Sequence, residues 1–186
     1  MKIAFIGSHG VGKTTLCYDL ASRIKRLDMA VDIVKEVARA CPLPINQQTT
    51  VEAQAWILHT QIAEELAAAS RYEVVICDRS VVDNYAYLVH RAGRRPALDA
   101  LVADWVGTYQ GLFKVPILQP PPWDGTRDVS GEFQWEIDRS IDDLLDSMGV
   151  SCNPLDAEHR DGWIDTVLIA LGLPLRPPQI DLFSRA

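Results

Sequence analysis

An α/β fold, a three-layer sandwich with a five-stranded, mainly parallel sheet between helices, is predicted by three features of this 186-residue chain. Short apolar runs alternate with segments of helical periodicity along most of its length. The runs are near-continuously hydrophobic, the pattern of strands covered on both faces. The first run passes directly into a glycine-rich turn and a helix, as in a βα unit that presents its turn at the carboxyl edge of a sheet.

Residues 2–6 carry the apolar run Ile3, Ala4, Phe5 and Ile6, the first strand. From Lys13 onward, Leu16, Leu20, Ile24 and Leu27 recur at helical spacing. Residues 31–34 are a second short strand. Pro42 and Pro44 make the following segment a loop. A longer helix follows, with Ala55, Leu58, Ile62, Leu66 and Ala69 expected on its buried side. Residues 73–77 form a third strand, and 81–91 and 97–108 two helices split at Gly93 and Pro96. A fourth strand is expected over 112–118, interrupted near its end by Pro116. A helix over 133–148 ends at Gly149, a residue type suited to the position past a helix C-terminus. A fifth strand is expected over 150–152 and a last helix over 157–171. The reading is one domain over residues 1–173, with a lid at about 119–140 and a proline-rich tail over 174–186.

Bulk composition narrows the partners. The formal net charge is −7, which argues against a broad basic face for non-specific nucleic-acid binding. No apolar run approaches the length of a membrane span. Cys17, Cys41, Cys77 and Cys152 are scattered without a C-x-x-C pair. They read as small buried hydrophobes of a reducing, cytoplasmic environment rather than as a zinc site.

The turn after the first strand reads Gly7, Ser8, His9, Gly10, Val11, Gly12, Lys13, Thr14, the pattern G-x-x-x-x-G-K-S/T. A triphosphate is a compact polyanion, and holding it requires many donors that approach without side chains in the way. Gly7, Gly10 and Gly12 can adopt the positive φ that turns successive amides inward, and the next helix aims its positive end at the same place. Lys13 reaches the β- and γ-phosphates, and the Thr14 hydroxyl can hold Mg²⁺. Thr15 continues the cradle. The motif makes the expected fold that of a P-loop NTPase with ATP and Mg²⁺ as ligands. His9 stands at a variable position of the loop and reads as solvent-exposed.

Asp78, Arg79 and Ser80 directly follow the third strand, where ligands of parallel sheets collect. Asp78 there can accept a proton from an attacking hydroxyl or join the Mg²⁺ site, and Arg79 can neutralise charge on the transferred group. The alternative is that Asp78 caps the helix near Ser80. Glu36 and Arg39, just past the second strand, face an acceptor or form a surface salt bridge. Gln54 and Gln61 on the next helix can read a base edge or be solvated; Trp56 reads as core. Arg127, in the irregular part of the lid, is the better candidate for a catalytic cation. Arg139, among acids, reads equally as an ion-pair partner. Trp123, Phe133 and Trp135 would anchor the lid. The basic run Arg91, Arg94 and Arg95 favours a helix C-terminus or contacts nucleic acid.

Asp78-Arg79-Ser80 with Asp83-Asn84-Tyr85 resembles the thymidylate-kinase and deoxynucleoside-kinase group of P-loop kinases. Glu36-Val37-Ala38-Arg39 and Asp124-Gly125-Thr126-Arg127 look more specifically like the AAA_28 family, which is similar to the kinase domain that phosphorylates ribosylnicotinamide. The likeness spans most of residues 1–171. It implies that Asp78 is the base or metal-linked acid, and that Glu36 and Arg39 face the acceptor. The expected activity is transfer of the ATP γ-phosphate to a hydroxyl of a nucleoside- or nucleotide-type acceptor. Some phage-encoded proteins resembling this family phosphorylate a hydroxymethylated pyrimidine within DNA, so DNA is a possible substrate. The alternative activity is a P-loop NTPase switch that hydrolyses ATP or GTP.

Overall fold

The computed structural model describes residues 1–45, 48–120 and 130–177. Five strands form one sheet: β1 (Lys2–Ile6), β2 (Val31–Val34), β3 (Val74–Asp78), β4 (Gly111–Lys114) and β5 (Asn153–Pro154). Their order is β2-β3-β1-β4-β5 and every pairing is parallel. Among the described residues the six α-helices are α1 (Lys13–Lys25), α2 (Val51–Ala69), α3 (Val81–Ala92), α4 (Pro96–Val106), α5 (Gly131–Met148) and α6 (Trp163–Ala170).

Strand alternation divides the core into two layers. Ile3 and Phe5 of β1, with Val74 and Ile76 of β3, pack against Leu16, Leu20 and Ile24 of α1 and against α6. Ala4, Ile6, Val75 and Cys77 face the opposite way, onto α2, α3 and α5. The crossover from β1 to β2 therefore runs over one face, through α1. The crossover from β3 to β4 runs over the other, through α3 and α4. Adjacent strands β1 and β3 send their chains apart, and a crevice opens between the loops that follow them. Those loops carry Gly7–Thr14 and Asp78–Arg79.

Several expected elements change. The fourth strand stops at Lys114 rather than running over 112–118, since Pro116 lacks the donor a strand needs. The fifth strand is Asn153–Pro154, not 150–152. The amide of Val150 is taken by Leu145 O at 3.0 Å, in the C-terminal turn closed by Gly149 at φ 66°. The last helix begins only at Trp163, because Asp156 gathers the preceding residues into a turn by accepting from Glu158 N (3.0 Å).

The buried side of α2 is also rotated from the expected face. Ala53, Gln54, Ile57, Leu58, Gln61, Glu65 and Ala68 point inward, while Leu66 is 58% exposed. Glu65 decides this. Its carboxylate accepts from Lys2 Nζ (2.8 Å), Trp105 Nε1 (2.7 Å), Tyr109 Oη (2.6 Å) and Gln61 Nε2 (2.9 Å). A carboxylate with that many donors is stable in the interior where an unpaired one would not be.

Of the segment 119–140 expected to be a lid, residues from 131 onward belong to α5. Residues 121–129, with Trp123, the Asp124–Arg127 motif and the candidate Arg127, lie outside the described residues. The tail is described only to residue 177. Among the described residues no helix is long and apolar enough to cross a membrane.

Candidate active site

The phosphate loop is built as its glycines require. Gly7, Gly10 and Gly12 have φ of 135°, 80° and 97°. At Gly7 a Cβ would also lie 2.9 Å from Val115 O, so close backbone approach adds to the conformational demand. Gly12 occupies the N-cap of α1, and the helix opens with Lys13 and Thr14. Lys13 Nζ curls back to donate to Gly7 O (2.7 Å) and Ser8 O (2.5 Å). Burial, and then the Arg79 charge, bring Lys13 down to about 8 against the attraction of Asp83, Asp78 and Glu36. The loop is braced from outside its own segment. Asp83 Oδ1 accepts from Gly7 N (2.9 Å), while its Oδ2 closes a capping box with Ser80 at the start of α3. Gln134 Nε2 donates to His9 O (2.8 Å), and Ser8 N to Asp138 Oδ1 (3.4 Å), both from α5.

Across the crevice, Asp78 ends β3 and accepts from the Thr14 hydroxyl at 2.5 Å. Burial raises the Asp78 carboxyl, in part offset by Lys13, the Thr14 hydrogen bond and Arg79. Helix α3 is capped by Ser80, so capping is not the role of Asp78. Arg79 is only 6% exposed and holds φ 97°, a left-handed conformation unusual for a side-chain-bearing residue. Strain of this kind persists where the surroundings over-determine it. Gln61 Nε2 binds the Arg79 carbonyl at 3.2 Å, and Asn84 Nδ2 donates to Gln61 Oε1 at 3.3 Å. The guanidinium then lies forked on Glu36 Oε1, with Nε at 2.9 Å and Nη2 at 2.8 Å. Its Nη1 is buried without a hydrogen-bond partner among the described residues. Glu36 Oε2 also takes Arg39 Nε (2.9 Å). Burial would push the Glu36 carboxyl up, but Arg79, Lys13 and Arg39 together hold it down at about 2.

These groups share two adjoining clefts. One, of about 220 Å³, is lined by Gly10, Gly12, Lys13, Thr14, Thr15, Glu36, Asp78 and Arg79. The other, of about 360 Å³, shares Thr14, Glu36 and Asp78 with it and adds Tyr18, Lys35 and Arg39. Among the described residues no three His, Cys, Asp or Glu side chains gather into a metal cluster. The site offers a cation one hydroxyl and one carboxylate. That sparse oxygen set suits Mg²⁺, which keeps several waters and is completed by substrate phosphates.

The AAA_28 model, described as an AAA domain, matches residues 2–161. The chain belongs to the AAA_28 family. Among curated proteins it has no match. Its fold is similar to that of deoxyadenosine kinase from M. mycoides with the products dCMP and dCDP bound. The TM-score is 0.63 and the identity 16%, with 92% of this chain and 99% of that chain covered. Thymidylate kinase from Ehrlichia chaffeensis gives a TM-score of 0.64 at 18% identity, over 90% and 98% of the two chains. The P-loop kinase fold is thereby shared at low sequence identity.

In this AAA_28 domain Gly10, Gly12, Lys13, Thr14 and Thr15 of the expected loop residues, with Asp78, Arg79 and Glu36, line the first cleft, and Arg39 lines the second. His9 is not exposed, as its place in the loop suggested. It is 6% exposed, within 3.1 Å of the Tyr87 hydroxyl through Nδ1, with its ring centroid 5.5 Å from that of Phe133. Gln54 is 5% exposed and donates to Thr49 Oγ1 (2.8 Å), so its amide is neither solvated nor among the cleft-lining groups. Gln61 is likewise buried in structural bonds, and Trp56 is half-buried rather than core. Val11 packs in the core beneath the loop. In the basic run, Arg91 Nε binds Thr49 O (2.9 Å) and Arg94 Nε binds Asp99 Oδ1 (3.0 Å). Arg139 sits on the exposed side of α5.

Sequence reasoning missed Arg160. A Cβ on Gly12 would lie 4.0 Å from its Nη2, and its guanidinium sits 6.0 Å from the Trp163 ring centroid. The sequence reading set it within the expected last helix over 157–171 and gave it no role, whereas it lies in the turn before Trp163. Gln134 and Asp138, which brace the loop, were legible in principle as an i,i+4 pair on the apolar side of α5.

Proposed function

We propose that this chain is an ATP-dependent kinase that passes the γ-phosphoryl group to a hydroxyl of a nucleoside- or nucleotide-type acceptor. The observation that carries the reading is geometric: one cleft gathers Lys13 and Thr14 of the phosphate loop, Asp78 bonded to the Thr14 hydroxyl, and Arg79 forked on Glu36, and its two carboxylates are pushed in opposite directions. Asp78 is raised by burial, whereas Glu36, which burial would also raise, is held at about 2 by Arg79, Lys13 and Arg39. Such divergence assigns acid–base roles. Asp78, the more basic of the two, is the proton acceptor. Glu36 is too weak a base for that task and serves to fix Arg79. The likeness to a deoxyadenosine kinase and a thymidylate kinase favours a nucleoside-type acceptor over other alcohols.

Loop amides and Lys13 hold the triphosphate, while Thr14 Oγ1 and Asp78 Oδ2 would hold Mg²⁺. The ion, when bound, neutralises charge on the β- and γ-oxygens. The acceptor oxygen forms its bond to the γ-phosphorus as the bond to the β,γ-bridging oxygen breaks. The hydroxyl proton passes to the second oxygen of Asp78, and ADP departs with the bridging oxygen. Arg79, which lines the same cleft as Lys13 and Thr14, stabilises the oxygens of the transferred group.

Radiolabelled ATP incubated with nucleosides, nucleotides, ribosylnicotinamide, and plain or hydroxymethylated DNA tests the reading. The expected result is slow turnover alone and label transferred to one acceptor class. Label confined to inorganic phosphate, at a rate no acceptor alters, refutes it in favour of an NTPase switch. Label on DNA would require the modified base to be flipped out of the stack.

A further inference from the structure

Arg79 is fixed at its carbonyl by Gln61 and along one edge by Glu36, but a fork on one carboxylate leaves the guanidinium free to rock about that edge. Tyr87 closes this freedom. Two turns into α3, it lays its ring under the guanidinium, with the Arg79 Cζ 5.0 Å from the ring centroid. The same side chain reaches the phosphate loop, its hydroxyl 3.1 Å from His9 Nδ1. His9 is itself gripped, with Gln134 on its carbonyl and Phe133 against its ring. Phe133 also meets Tyr87 edge-on, with centroids 6.0 Å apart. An uninterrupted chain of contacts thus runs from Glu36 through Arg79, Tyr87 and His9 to the first turn of α5. It links the acceptor side of the cleft to the phosphate loop without passing through Lys13.

We propose that Tyr87 is a positioning residue: its ring face sets the plane of the Arg79 guanidinium, while its hydroxyl, beside His9, adds a lesser tie to the phosphate loop. The proposal rests on the kinase reading, in which Arg79 meets the transferred group. A cation over an aromatic face in a desolvated setting is worth enough to bias one orientation strongly. A tyrosine that only filled space between α3 and α5 would influence folding without acting through Arg79.

The test is a double-mutant cycle of Tyr87→Leu and Arg79→Lys, read with the acceptor found by the transfer screen. Tyr87→Leu is expected to lower kcat about 10-fold or more, with the affinity for an ATP analogue changed less than about 2-fold. Tyr87→Phe, which keeps the ring, is expected to stay within about 3-fold of wild type. The double variant is expected to be no slower than Arg79→Lys alone, because groups acting through one another are non-additive. Losses that multiply overturn the proposal. A second readout needs no turnover: the ¹⁵N-edited side-chain signal of Arg79 Nε–H, protected by Glu36, is expected to broaden in Tyr87→Leu and persist in Tyr87→Phe. An unchanged signal in Tyr87→Leu also overturns it. Tyr87→Met, which keeps volume without an aromatic face, replaces the leucine variant if that one does not fold. Failure of wild-type transfer to every acceptor sinks the kinase reading, while the ¹⁵N arm still decides whether Tyr87 sets Arg79.

Discussion

Replacing Glu36 by Gln removes one negative charge and almost no volume, and the structure allows its effect on stability to be worked out. Glu36 is the shared anchor of Arg79 and Arg39 and its side chain is 16% exposed. Lowering its carboxyl from 4.5 to about 2 corresponds to about 3 kcal/mol at neutral pH. A second route gives a similar size: losing one partner of a buried ion pair costs about 3–5 kcal/mol, tempered here by partial exposure and the retained amide oxygen. The sign follows from linkage. The folded-state value lies below the unfolded one, so the stabilisation is complete above about pH 4.5 and fades as pH falls toward 2. Chemical denaturation of wild type and Glu36→Gln should therefore differ by about 3 kcal/mol at pH 7 and by only about 1 kcal/mol at pH 3. Arg39→Ala, at the half-exposed end of the network, should cost no more than about 1 kcal/mol. A gap between wild type and Glu36→Gln that is equal at pH 7 and pH 3 would show that charge is not what Glu36 contributes, and the assignment of Asp78 as the more basic carboxylate would lose its contrast.

Four further outcomes are expected. Asp78→Asn should lower acceptor-dependent kcat by at least about 10²-fold; a near-wild-type rate in the variant would remove Asp78 from the chemistry. Lys13→Ala should abolish transfer and weaken ATP binding with the fold retained by circular dichroism; unchanged transfer would misplace the triphosphate. Because the Lys13 ammonium of the free protein titrates near 8, ATP affinity measured by calorimetry should fall as pH rises from 7 to 9.5; a flat profile would mean that the ammonium does not carry the binding. Arg160→Ala should raise the ATP KM by about 3- to 10-fold without lowering kcat, since its guanidinium lies beside Gly12 of the phosphate loop; a kcat loss with KM unchanged would contradict that role.

What was legible in the sequence is what depends on neighbours along the chain. The phosphate loop needs three positive-φ glycines, a lysine and a hydroxyl within eight residues, so it is written locally, and Gly7, Gly10 and Gly12 take the positive φ expected of them. Asp78 and Arg79 were legible because a buried strand ends there and open parallel sheets expose such ends to ligands. The failures share a different cause. His9 looked exposed because nothing near it in sequence covers it; the cover comes from Tyr87, 78 residues away, and from Phe133 on α5. The face of α2 was misjudged because an alanine-rich helix offers two apolar stripes of similar strength. The choice between them falls to Glu65, a polar residue that hydropathy sends to the surface and that Lys2, Trp105 and Tyr109 draw inward. The strained turn at Arg79 hangs on the same network through Gln61. The interior polar residues that periodicity discards therefore decide how the loops after β1 and β3 face each other. Substitutions at Glu65 or Gln61 should accordingly be felt at Arg79 before they are felt in the sheet.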